Sequence, residues 1–229
     1  PLMRLMMEKT LGIHRRRDLP LFYSQTFRQW WDWRGPKGER KNQVALFYGC
    51  SINYNDPKAG KAAVAVLEKN GLEASCPAQI CCGMPHLDGG DIEAAKRAAK
   101  RNLEALVPLA QRGVPILTLG PTCSYMIKDE YPALLQSEDA KLVSKNTFDI
   151  HEYLIRLKKE GRLNTDFTQS TGTVAYQPPC HLKAQNIGFK SKELLDLLPG
   201  ASVSLIDRCS AHDGTWSMKN EYFDLSMKT

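Results

Sequence analysis

The chain has 229 residues, 42% hydrophobic and 24% charged, a composition that excludes a disordered chain and suits one large core or two modest ones. No apolar run approaches the roughly 20 residues that span a bilayer, and nothing resembles a secretory signal; a cytoplasmic protein is expected, able to dock peripherally on the inner membrane face. The net charge of +6 sits in residues 1–41, which carry ten Lys/Arg against four Asp/Glu, so the neutral remainder offers no footprint for nucleic acid.

Residues 1–18 read as an amphipathic helix, with Leu2, Leu5, Met6 and Ile13 apolar and Arg4, Glu8, Lys9 and Arg15 to Arg17 charged. A second helical stretch, 26–34, mixes Trp30, Trp31 and Trp33 with Arg28 and Arg34, as an interface does. Packing on its own domain or on another subunit ranks first for this leader, and a lipid surface second. Gly35 to Lys41 is a polar linker.

From residue 43 the pattern alternates strand and helix. Strands are expected at 44–49, 72–76 and 114–119, and helices at 55–70, 91–113, just after Cys123, and at 149–160. A strand from Val174 that leads into Cys180, a helix at 191–198 and a strand at 202–206 follow. The fold expected is α/β: two related Rossmann-like lobes with small parallel sheets flanked by helices, spanning 43–165 and 166–229, after a helical leader and linker over 1–42.

Seven cysteines in a cytoplasmic setting suit metal ligation or redox chemistry better than disulfides. Cys50 follows the first strand, Cys81-Cys82 precede Gly83, and Cys123 follows the 114–119 strand, so each sulfur is expected on a different loop. Because ligand sites in open α/β sheets collect beyond the carboxyl ends of strands, Cys50 and Cys123 should converge there. Cys76 reads as a small buried hydrophobe, and His86 and His151 as surface or core histidines. A repeat at an offset of 130 aligns Val174 to Cys180 with Val44 to Cys50 and brings Cys209 to the place of the Cys81-Cys82 pair.

These residues resemble the cysteine-rich Cys-Cys-Gly domain family of iron–sulfur proteins, of the heterodisulfide reductase type, and its anaerobic glycerol-3-phosphate dehydrogenase branch in particular. Val44 to Phe47 with Gly49-Cys50, Asn53-Tyr54-Asn55, Asp129-Glu130-Tyr131-Pro132 and Pro179-Cys180-His181 carry the likeness. The family pattern closes with Cys-x-x-Cys, whereas Met126 follows Cys123 here, leaving four thiols in the first lobe. In the second lobe Ser210 and Ala211 replace a Cys and a Gly, leaving Cys180 and Cys209, with His181 or His212 as helpers.

The resemblance implies a 4Fe–4S-type cluster on Cys50, Cys81, Cys82 and Cys123, with Gly83 letting backbone approach it; Cys180 and Cys209 are too few to close a second cluster unaided. It implies an electron-transfer subunit, without catalytic residues of its own, that receives electrons from a flavoprotein dehydrogenase subunit of the glycerol-3-phosphate type and passes them towards quinone or another acceptor. A heterodisulfide or thiol reductase and a structural zinc protein are the alternatives. No phosphate-binding loop, dinucleotide fingerprint or serine-nucleophile motif is present. Beginning at Pro1 and stopping at Thr229, the chain is expected to be a fragment.

Overall fold

The computed structural model describes residues 2–35, 42–210 and 216–228, in two compact units: Pro1–Leu21 with Asp207–Thr229, and Phe22–Ile206. In the first unit, helix α1 (Leu2–Leu11) ends seven residues before the expected boundary at 18, because Gly12 takes φ +67°, a left-handed conformation that ends helices. Ile13 then bridges antiparallel to Lys219, and the His14 ring stacks on Phe223 with centroids 3.7 Å apart. The guanidinium groups of Arg16 and Arg17 lie over the same Phe223 ring.

In the second unit α2 (Phe27–Arg34) opens with a capping box: the Gln29 N–H donates to Thr26 Oγ1, and the Thr26 N–H to Gln29 Oε1. Phe27 is fully buried among Trp30, Trp31 and Tyr48, and Arg34 lies over both indoles. This part of the leader packs on its own unit, leaving Trp33 exposed. The expected linker beyond Gly35 lies outside the described residues.

Four short parallel strands form the main sheet, in the order β2-β1-β3-β4: β1 Gln43–Phe47, β2 Glu73–Ser75, β3 Ile116–Thr118 and β4 Thr147–Asp149. Val44 to Phe47 are all buried, as a central parallel strand covered on both faces requires. Ala45 and Phe47 face a core with Leu106, Ile116, Met126 and Tyr131; Val44 and Leu46 face Phe27, Leu67, Leu154 and Leu157.

Helices α3 (Gly49–Tyr54) and α4 (Pro57–Lys69) follow β1, and α5 (Met84–Asp88) and α6 (Ile92–Gln111) follow β2. After β3 come α7 (Pro121–Tyr125), a π-helical turn at Met126–Glu130, α8 (Tyr131–Leu135) and α9 (Glu138–Lys145). Helix α10 (Ile150–Lys159) follows β4, capped by Asp149 with Glu152 in a second capping box. Neither α9 nor β4 is anticipated by the sequence pattern; β4 is three residues long, too short to show a period.

A second, two-stranded parallel sheet pairs β5 (Thr173–Tyr176) with β6 (Ser202–Leu205), and between them run α11 (Cys180–Ala184) and α12 (Lys190–Leu195). The repeat is thus realised in topology. Strand β5 pairs with β6 as β1 pairs with β2, with Thr173 opposite Ser202 and Gln43 opposite Glu73.

Candidate metal centre

The chain turns one way from β1 to β2 and the other way to β3, so the carboxyl ends of β1 and β3 form the switch point of the sheet. Cys50, after β1, and Cys123, after β3, are delivered there. Cys50 is the second residue of α3 and Cys123 the third of α7, so the expectation of a loop for each sulfur is corrected at these two positions. Strand β1 runs almost directly into α3, and only the Cys81-Cys82 pair lies outside regular structure.

Gly49 makes the approach possible. It has φ +66°, and a Cβ placed on it would stand 2.7 Å from the Cys123 sulfur, nearer than real contacts allow. Gln79 fixes this turn: its Oε1 accepts from the N–H groups of Tyr48 at 2.9 Å and Gly49 at 3.2 Å, and its Nε2 donates to Leu46 C=O at 2.9 Å. On the other side the fully buried Asn102 of α6 accepts from Ile80 N–H at 2.9 Å and donates to Cys81 C=O at 3.1 Å. Two amides thereby hold the backbone that leads into Cys50 and into the Cys81-Cys82 pair. Sequence reading missed both residues, since an isolated Gln or Asn carries no spacing signal.

The four thiols stand as neighbours in a row, each close enough to influence the charge of the next: Cys50 beside Cys81, Cys81 beside Cys82, and Cys82 beside Cys123. The Cys50 and Cys123 ends of the row differ in exposure, Cys50 open to solvent and Cys123 buried. Cys50 and Cys82, with the backbone at Gly83, draw the Cys81 thiol far below its ordinary range. Its neighbours move the other way, Cys82 through Cys123 and Cys50 through Cys81, because burial and a neighbouring sulfur both oppose a second negative charge. Among the described residues no three His, Cys, Asp or Glu side chains already converge as a metal-ion ligand set. The fit of a metal group therefore rests on donor chemistry: four soft sulfurs in one row, backbone at Gly83 and Met84 that favours negative charge on Cys81 and Cys82, and a glycine where sulfur meets backbone. Such a set suits an iron–sulfur cluster.

Gly83 adopts φ +100°, and a Cβ there would meet Ala98 Cβ at 3.2 Å and Ala95 C=O at 3.3 Å, so the close approach it permits on that side is to α6. Cys180 is exposed at the start of α11, within the same unit as the thiol row. Cys209 belongs to the other unit and is exposed, and His212 lies outside the described residues. Cys76 is half-buried against the core that holds Val44 and Leu46, and burial pushes its thiol up to about 12. His86 is exposed; His151 is partly exposed, its Nδ1 paired with buried Asp149 at 3.1 Å. A groove of about 330 Å³ between α4, α10 and α12 contains no cysteine. Among the described residues no helix is long and apolar enough to cross a membrane.

Comparison with known proteins places these features in a family context. The family described as "Cysteine-rich domain" matches residues 44–128, the segment that carries the row of four thiols. The C subunit of the anaerobic glycerol-3-phosphate dehydrogenase of Escherichia coli (strain K12) is 30% identical over 97% of this chain, which spans 57% of that relative's length. Lactate utilization protein A of Bacillus cytotoxicus is 30% identical over 77% of the chain and 75% of its own length. An uncharacterized iron-sulfur protein of Methanococcus maripaludis is 28% identical over 76% of the chain and 33% of its own length.

Proposed function

Because the chain belongs to the cysteine-rich Cys-Cys-Gly domain family, we propose that it is an iron–sulfur electron-transfer subunit. In this reading it takes electrons from a flavoprotein dehydrogenase subunit, of the glycerol-3-phosphate type, and passes them towards quinone or another acceptor. The observation that carries the reading is the row of Cys50, Cys81, Cys82 and Cys123 at the switch point of the sheet. The likeness to one component of a dehydrogenase and to a protein named for iron and sulfur supports it.

These four cysteines would hold a cluster of the 4Fe–4S type, which supplies one-electron relay at fixed geometry. The chain's own part is electrostatic and steric. The backbone at Gly83 and Met84 favours negative charge on Cys81 and Cys82, which would favour the more negative, reduced state; buried Met126, Ile127 and Phe47 keep water from the inner side. Docking on the inner membrane face from the cytoplasm is part of the same proposal.

Iron and acid-labile sulfide content, with low-temperature electron paramagnetic resonance on anaerobically reconstituted protein, tests the reading. Near-stoichiometric iron and sulfide for one cluster, with a reducible signal, is expected. Zinc bound without sulfide would make the thiol row a structural metal site and overturn it.

A further inference from the structure

The two short helices that carry Cys123 and Cys180 are interlocked. Around Cys123, α7 presents Thr122, Ser124 and Tyr125, and each is engaged by a residue of the turn that begins at Cys180. A hydrogen bond of 3.0 Å joins Thr122 Oγ1 and His181 Nδ1, and the Tyr125 ring stacks on the His181 ring at 5.3 Å and 6°. Ser124 Oγ donates to Gln185 Oε1 at 2.8 Å, and Gln185 Nε2 donates back to His181 C=O at 2.8 Å. The circuit is closed: the same two side chains hold both neighbours of Cys123 and the aromatic ring one step further on.

An α-helix of five residues has little stability of its own, since nucleation fixes several dihedrals for few hydrogen bonds. The orientation of Cys123 is then set by what grips α7 from outside. Strand β3 enters from one side, and the grip on the outward side comes from α11, across a sequence gap of about sixty residues. Ser124 is fully buried, so loss of its acceptor leaves a polar group without water to replace it.

We infer that His181 and Gln185 are positioning residues for the Cys123 sulfur, so that the turn carrying Cys180 sets the geometry of the first thiol row. The inference rests on the proposed ligand role of Cys123, and its consequence is that the two lobes share one mechanical element. A cluster held by the first row would sense the state of the second lobe through α11 without sharing a ligand with it.

The test uses the complete chain in apo and reconstituted form, with Thr122→Val, Gln185→Leu, His181→Phe and Thr122→Ser. In the apoprotein, alkylation of Cys123 by iodoacetamide, followed by mass spectrometry, should quicken about tenfold in Thr122→Val and Gln185→Leu and stay near wild type in Thr122→Ser, which keeps the hydroxyl. His181→Phe keeps a flat face for Tyr125 but has no Nδ1, and should resemble Thr122→Val. In reconstituted protein the same variants should lose iron to a ferrous chelator about tenfold faster and show a changed resonance line shape. Unchanged Cys123 alkylation in Thr122→Val and Gln185→Leu overturns the inference, as does an equal rise at Cys76, which would mean general loosening. If wild-type protein binds no iron while the alkylation pattern holds, the positioning stands and the cluster reading falls.

Discussion

The Tyr131 hydroxyl donates to the backbone carbonyl of Cys82 at 2.9 Å, deep in the core. The same oxygen accepts from Asn102 Nδ2 at 3.0 Å, so one buried pair, both members fully inaccessible, holds the carbonyls of both adjacent cysteines. Buried polar groups satisfied in this way specify a single geometry, because every alternative leaves a donor or acceptor unpaired.

Removing the hydroxyl with Tyr131→Phe should therefore destabilise the apoprotein by about 1–3 kcal/mol, although the ring volume is unchanged. Asn102→Leu should do more, since it also strips the Ile80 N–H of its acceptor. Urea denaturation followed by circular dichroism reads both. A Tyr131→Phe protein as stable as wild type would show that the Cys82 carbonyl has no need of this partner.

Gly49 and Gly113 make a matched pair. Both have positive φ, +66° and +70°, but a Cβ on Gly113 meets nothing within 4 Å, whereas on Gly49 it meets the Cys123 sulfur. Gly113→Ala should cost only the left-handed strain of about 1–2 kcal/mol and keep its iron after reconstitution. Gly49→Ala should lose most of its iron. Equal iron in the two variants would show that the approach of Gly49 to Cys123 is irrelevant to metal binding.

Cysteine-to-serine changes divide the seven thiols by role. Cys81→Ser and Cys123→Ser should remove most bound iron, whereas Cys76→Ser should bind as wild type. Burial raises the Cys76 thiol to about 12, which leaves roughly one in ten thousand as thiolate at pH 8. In native apoprotein it should resist iodoacetamide at that pH while exposed Cys180 reacts, and become reactive in urea. Similar iron loss from all three serine variants would defeat the assignment.

Phe27 anchors the second leader helix. Its fully buried ring lies against Trp30, Trp31 and Tyr48, and comes close enough to Gly60 that a Cβ there would clash at 2.6 Å. Phe27→Ala should cost about 3–5 kcal/mol through burial lost and cavity left, while Trp33→Ala, at an exposed position, should change stability by about 0.5 kcal/mol or less. Thermal unfolding of the two variants side by side checks the contrast. Comparable losses would place Trp33 in a contact as substantial as that of Phe27.

By itself the sequence determined the alternation of strands and helices from Val44 onward, the parallel sheets, the repeat that relates β5 and β6 to β1 and β2, and the delivery of Cys50 and Cys123 beyond strand ends. Those features are local or periodic: apolar runs, caps such as Asp91 and Asp149, and cysteines directly after strands are legible without knowing what packs where. The end of α1 at Gly12, the three-residue strand β4 and helix α9 escaped, the last two because tertiary packing rather than a long period holds them. Only the tertiary structure decided that Gly49 is the glycine that meets a sulfur, that Gln79, Asn102 and Tyr131 hold the cysteine backbone, and that His181 and Gln185 grip α7. Each of those contacts joins residues tens of positions apart, through one polar group or, at Gly49, one close approach, and such pairings follow from the order in which strands assemble, which no spacing along the chain encodes.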